Sequence, residues 1–435
     1  MSARCVGVTL ALALSGCALF LPKPDDRVRL AEWQRRTVSL RQLEFKHGVE
    51  LRWVSRDQMP DVLTFEAGAE LEPARVARER DDLAALGALA PDVDLGKEML
   101  ALYASQAAGI YSATRNTLFV SDDMSSGLKT LLLDPIVVHE LTHALQDQNF
   151  PQILDFLLGL RREDDVSRAL SGTIEGDATV TMFGAFPGGA NADKLQLAER
   201  SRDAMLAQLD DKDTEVGRAP RLLAVDLVFP YAYGTVAAAR RFERAGNAGL
   251  DAALLDPPLA SVQLLHPETR GREIEFVRLP LDALRAHEPL AGCAFEEDNV
   301  AGALTARVIF EETLKGDALE SLVASWRGDR YALLQCGAKA ELLWLTRWES
   351  PAAAARFADA YRALAPGIAA RTSLSGPADV VVREKTALVL TPALRPFTEE
   401  ILSGASVRGY LDLRAWVADA CFPESQCPTR AAKTP

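Results

Sequence analysis

Histidine is scarce in this chain, with five residues in 435. Any clustering of so few is therefore informative. A basic excess is also missing: 61 acidic residues stand against 48 basic ones, for a net charge of −13. No basic stripe follows a phosphate backbone, so nucleic acid is not an expected partner. No uninterrupted apolar run reaches the roughly 20 residues that a helix needs to cross a bilayer. Internal repeats and low-complexity linkers are absent. Cysteine is sparse, six in all, and never at zinc-finger spacing.

What is present is an ordinary globular composition, 48% hydrophobic and 25% charged. The chain is too long for one compact core, so two or three lobes are expected. Its first residues, "MSARCVGVTLALALSGC", carry one arginine, a short apolar stretch and then small residues, which is the build of a secretory signal. Leu14-Ser15-Gly16-Cys17 resembles the lipobox of bacterial lipoproteins. That resemblance implies a signal peptide over 1–16, a lipid anchor at Cys17, a tether over 17–26 and, with Ala18 next, the outer membrane, facing periplasm or exterior. Of the other cysteines, Cys293, Cys336, Cys421 and Cys427 form an even set with three possible pairings. The expected pairs in an oxidising compartment are Cys293 with Cys336 and Cys421 with Cys427.

Along the chain, "RVRLAEWQRRTVSLRQLEF" reads as helix, "VELRWVSRDQM" as strand, and Pro73 to Gln106 as helix. "GIYSATRNTLFVSDD" reads as a hairpin, with Thr117 to Val120 as a candidate edge strand for an extended peptide. Mostly helical signals follow to about Arg244. In the last third, "RYALLQ", "AELLWLTRW" and "TALVLTP" are strand-like, and a helix capped by Ser350 and Pro351 lies between the second and third. An RGD triplet, Arg327 to Asp329, reads as a turn before the first of these strands.

Two of the five histidines fall in "HELTHALQDQ". Asp134 can cap this helix and Pro135 fits its first position. Val137, Leu141 and Leu145 form its buried stripe. His139 and His143, four apart, stand one above the other, and both can reach one ion. Glu140, about 100° round the axis, leans over a water beside that ion. This is the need of a zinc hydrolase, in which the metal acidifies a water, a carboxylate takes its proton and the metal polarises a carbonyl.

A catalytic zinc site takes three protein ligands. The extended HExxHxxGxxH pattern fails here, because Gln146 and Asn149 stand where Gly and His belong. The remaining histidines are His47, His266 and His287. Glu175 is the stronger candidate, set in "SRALSGTIEGDATVTMF", where Gly176 and Ala178 would let this helix pack closely against the HExxH helix.

"HELTH" with Ala144 and Asp147, followed by "EGDAT", resembles the thermolysin-type gluzincins. The resemblance implies a mostly helical zincin-like lobe, a bound Zn2+ held by His139, His143 and Glu175, and Glu140 as general base. Thr179 stands where the family carries an aspartate, so Asp147 or Asp177 is the candidate for orienting an imidazole. "HALQDQ", "EGDAT", "FPYAYG" and "LLHPE" together also resemble a group of uncharacterised bacterial metallopeptidases. That likeness brings in Tyr231, Tyr233 and His266 as candidate oxyanion stabilisers.

The expected fold is α+β. A zincin-like domain with a small N-terminal β-hairpin or sheet occupies 27–290, and a ferredoxin-like α+β domain occupies 291–435. The expected activity is zinc-dependent hydrolysis of peptide or protein substrates. The alternative is a non-catalytic lipoprotein of the same fold, acting as a binding or envelope assembly factor. One geometric test separates a metal centre from two unrelated histidines: the Glu175 carboxylate must lie within about 5 Å of both imidazoles.

Overall fold

The computed structural model describes residues 26–409, apart from 107, 126–129, 161 and 296. The expected signal peptide, Cys17, nearly all of the tether, Cys421 and Cys427 lie outside the described residues. The fold is α+β, a mostly helical region with separate β-sheets.

The N-terminal helix α1 (Asp26–Arg41) leads into strand β1 (Glu50–Val54) and helices α2 (Met59–Ala67), α3 (Pro73–Leu86) and α4 (Leu95–Gln106). The ends of α3 follow from local chemistry. The Glu72 carboxylate caps the backbone N–H groups of Ala74 and Arg75, Pro73 takes the first position, and Gly87 closes the helix at φ 91°.

The hairpin forms as expected, from β2 (Gly109–Ser112) and β3 (Thr117–Ser121), but its strands exchange roles. The sheet order is β1-β3-β2, with β1 parallel and β2 antiparallel to β3. The stretch expected to be an edge is therefore central, and all five residues of β3 are buried. β2 is one edge and β1 the other. A local hairpin signal cannot reveal that β1, far upstream, adds on the outer side.

Helix α5 (Thr130–Asn149) carries the histidine pair and begins a turn earlier than Pro135 and Asp134 suggest. Pro135 forfeits one bond, to the carbonyl of Leu131, in a turn whose side chains Leu131 and Leu132 are exposed. Water can satisfy that group, so the helix continues through the proline. Asp134 is not a cap; it accepts from Trp33 Nε1 at 2.8 Å and pairs with Arg36, fastening α1 to α5. Val137, Leu141 and Leu145 are fully buried, as their spacing requires.

Beyond α6 (Pro151–Gly159), helix α7 (Asp164–Phe183) packs across α5. Helix α8 (Lys194–Gln208) precedes a 25-residue helix, α9 (Arg221–Ala245). By length and composition α9 could cross a membrane, although Asp226, Pro230 and Gly234 interrupt its apolar run in sequence. In the apolar window 61% of it is buried inside the protein, the position of a core helix. Its middle, Pro230–Gly234, widens into a π-turn.

In the last third, two short strands, β4 (Phe276–Arg278) and β5 (Ala294–Phe295), come first, and the long strands β6 (Trp326–Cys336) and β7 (Lys339–Trp348) precede α10 (Pro351–Arg371), which the Ser350 hydroxyl caps. Two strands follow, β8 (Asp379–Arg383) and β9 (Thr386–Leu390), where the sequence pattern suggested one. With the short strand Ala294–Phe295 at one edge, the sheet runs antiparallel in the order Ala294–Phe295, β6, β7, β9, β8. β7 and β8 point the same way with β9 between them and α10 as the crossover. One face packs on α10 and the helical body, and the other beneath Val277, Leu284, Leu394 and Ile401. Cys293 and Cys336 form a disulfide, with Cα atoms 4.1 Å apart. The RGD triplet is not a turn. It lies inside β6, where Asp329 is buried and accepts from the indoles of Trp326 and Trp344 and the N–H groups of Ala301 and Gly302. Arg327 and Asp329 are both buried.

Candidate metal centre

His139, Glu140 and His143 face away from the apolar stripe of α5, into a cleft of about 640 Å³. Glu175 enters the same cleft from α7. His139 Nε2 lies 3.1 Å from Glu175 Oε2 and 3.2 Å from His143 Nε2, and His143 Nε2 lies 3.4 Å from Glu175 Oε2. The three donors lie within 4.8 Å of one another. Donors held at about 2 Å around a tetrahedral ion stand roughly 3–3.5 Å apart. The observed separations are those of such a shell.

Charge in the cluster fits a cation as well. Burial opposes a proton on His143, yet Glu175, with Glu140 and Gln146, carries its pKa up to about 9. Burial also opposes charge on Glu175, but His143 and His139 hold its carboxyl well below the usual range. A proton here stands where the positive charge of an ion would balance the carboxylates. The imidazole planes meet at 87°, so both Nε2 atoms reach one point from different directions.

Glu140 lines the cleft without joining the donor set; its Oε2 accepts from the Tyr111 N–H of β2 at 2.8 Å. Tyr231, on the π-turn, lines the cleft from the opposite side, its hydroxyl against Glu175. Glu175, then burial and Glu140, push that phenol well above its ordinary pKa. The π-turn reaches this place because of glycine. A Cβ on Gly176 would lie 2.3 Å from the Gly234 carbonyl oxygen, and one on Gly234 would lie 2.0 Å from that of Gly172. The backbones of α7 and α9 touch there.

Other candidates fall elsewhere. His266 sits between Glu268 (3.2 Å) and Glu320 (3.3 Å), and burial raises the Tyr233 phenol, which lies in the field of Arg307 and Glu320. Neither lines the cleft. Asp147 accepts from the Tyr111 hydroxyl at 2.9 Å, while the oxygen beside His143 Nδ1, also 2.9 Å away, belongs to Gln146. Asp177 bonds Gln146 and Arg41 and reaches His143 only through the amide. Gln146, Arg41 and Tyr111 were not singled out in the sequence. Gln146 lies three residues from His143, within reach on a helix face. Arg41 comes from far upstream with no local signal.

The HExxH pair on one helix and the glutamate from a second helix form the arrangement of a gluzincin zinc protease, and the chain carries a buried His-His-Glu metal-binding cluster suited to a catalytic Zn2+. Residues 290–393 match a family model described as a domain of unknown function, DUF8575. No curated protein and no solved structure matches the chain. The matched segment contains none of the three donors.

Proposed function

We propose that the protein is a gluzincin-type metallopeptidase, with His139, His143 and Glu175 holding Zn2+ and Glu140 acting as general base. The observation that carries this reading is the donor triangle of 3.1, 3.2 and 3.4 Å with a non-ligating carboxylate beside it. When bound, the ion supplies a Lewis acid that acidifies water and polarises a carbonyl. Glu140 takes the proton of the attacking water and returns it to the leaving amine. The Tyr231 hydroxyl, kept protonated, donates to the developing oxyanion. An extended substrate adds along the outer edge of β2, whose residues Gly109, Ile110 and Tyr111 line the cleft, with the Tyr111 N–H held by Glu140.

The helical part over 27–290 reads as a zincin-like lobe. The order β7-α10-β8, split by β9, supports a ferredoxin-like relationship for 291–435, in which β6 takes the position of a final strand. A family match that begins at residue 290 supports that boundary. The lipobox-like stretch ending at Cys17 supports an envelope lipoprotein, and the disulfide supports an oxidising compartment.

The test is digestion of a peptide library by zinc-loaded protein, with Glu140→Gln as control and zinc content measured on both. Cleavage by the wild type alone, at equal zinc content, is the expected result. Zinc-replete protein that cleaves nothing would favour the non-catalytic alternative.

A further inference from the structure

Behind His143 lies a buried polar chain that ends on the first described helix. His143 Nδ1 is 2.9 Å from Gln146 Oε1. The other end of that amide, Nε2, donates to the Ile174 carbonyl and to Asp177 Oδ2, both at 2.9 Å. Asp177 Oδ1 takes the Nε–H of Arg41 at 2.7 Å, and Arg41 Nη2 reaches Asp251 Oδ1 at 2.6 Å. Gln146, Asp177 and Arg41 are 0%, 2% and 0% exposed, so water plays little part.

Each link leaves the next one orientation. A guanidinium only donates, and a carboxylate paired with it only accepts. Gln146 must therefore turn its NH₂ towards Asp177, where the Ile174 carbonyl gives the same instruction. Its carbonyl oxygen then faces His143 and demands a hydrogen on Nδ1. A neutral imidazole with hydrogen on Nδ1 keeps its lone pair on Nε2, the nitrogen that faces His139 and Glu175.

We infer that Gln146, Asp177 and Arg41 are positioning residues for the metal centre, which set the tautomer of His143, so that docking of α1 through Arg41 is part of assembling the ligand shell. This rests on the metal-site reading above. It also explains how the centre does without an aspartate at Thr179: the carboxylate sits at Asp177 and acts through an amide on α5 instead of touching an imidazole.

The logic makes a reciprocal variant decisive. In Asp177→Asn the side-chain oxygen stays with Arg41 and an NH₂ faces Gln146. Gln146 then either meets donor with donor or turns over and presents NH₂ to His143, which moves the imidazole hydrogen to Nε2. In the double variant Gln146→Glu with Asp177→Asn, a carboxylate accepts from the amide at 177 and from His143 Nδ1 with the net buried charge unchanged, while the Ile174 carbonyl loses its donor, so the recovery is partial.

Zinc affinity of the metal-stripped full chain, read by competition with a chromophoric chelator, is expected to fall ~10- to 100-fold in Asp177→Asn and in Gln146→Met. The double variant should recover part of the loss. Circular dichroism and thermal melting of the metal-free proteins show whether each variant is folded. Should Asp177→Asn fail to fold, Gln146→Met still decides the matter. Folded Asp177→Asn or Gln146→Met that binds zinc within about twofold of the wild type would overturn the inference alone. A wild type that binds no zinc would overturn the metal-site reading and this inference with it.

Discussion

Replacing Glu140 by Gln keeps size and shape but removes the proton acceptor. Zinc content should stay at the wild-type level while kcat/KM falls ~10²- to 10⁴-fold. Removing a donor does something different: His143→Ala should lose both metal and activity, measured by metal analysis and peptide hydrolysis on one preparation. Tyr231→Phe removes a hydroxyl that acts only as charge develops, so kcat should fall ~10²- to 10³-fold with KM little changed. Equal loss in KM would make Tyr231 a substrate-binding group. The donors themselves were legible because each obeys a local rule, two histidines at helical spacing and a glutamate among small residues. Their supports obey none. Gln146 lies within reach of His143 on the same helix, but what aims its amide comes from Arg41 and Asp177, and no helical periodicity encodes a contact between α1 and α7. His266 and Tyr233 show the converse, since both stand in recognisable segments and fold into a separate cluster with Glu320.

Among the elements, α7 and α9 depend most on what glycine leaves out. In Gly176→Ala the new Cβ would press on the Gly234 backbone at 2.3 Å, and backbone yields poorly. A loss of ~1–3 kcal/mol is expected in denaturant unfolding, with weaker zinc binding because Glu175 is the next residue. Gly367→Ala, inside α10 with nothing within 4 Å, is the matched control. There the same methyl should stabilise by ~0.5–1 kcal/mol through helix propensity and a less flexible unfolded chain. The two glycines look alike in the sequence. The small residues around Glu175 signalled close packing, but Gly176 meets the π-turn at Gly234 and not the HExxH helix it was expected to face, because the partner of a small residue is set by the tertiary fold. Strand identity was legible and strand position was not: β3 was recognised and placed at the wrong side of its sheet, because register and neighbours are long-range properties. β8, "DVVVR", is as long as β9 but has only three apolar residues between charged ends, a weaker strand signal.

Across the whole molecule, the largest core joins Leu83, Phe229 and Leu264 to Tyr331, Trp344 and Phe357, so one apolar interior crosses residue 290. The parts expected on either side of residue 290 thus share one apolar interior. A fragment over 27–290 should accordingly bind a hydrophobic dye and lack the sharp melting of the full chain. Cooperative unfolding of the fragment alone would show that the interface is dispensable. The disulfide closes a loop between positions 43 residues apart. By chain entropy it should contribute ~4 kcal/mol, seen as a lower Tm after mild reduction.

The same five-stranded sheet has a further consequence, for behaviour at high protein concentration. A sheet edge with free backbone groups is a template on which another molecule can grow. Here one outer strand, Ala294–Phe295, is only two residues long, and the other, β8, has Asp379 and Arg383 at its ends. The apolar β6, β7 and β9 lie inside these with both faces covered, and beyond the reach of Ala294–Phe295 the outer edge of β6 is met by the backbone of Asn299 at Tyr331 and of Glu275 at Arg327. The segments best suited to stacking between molecules are thus the ones least able to meet a second copy, so self-association through this sheet requires that it first come apart.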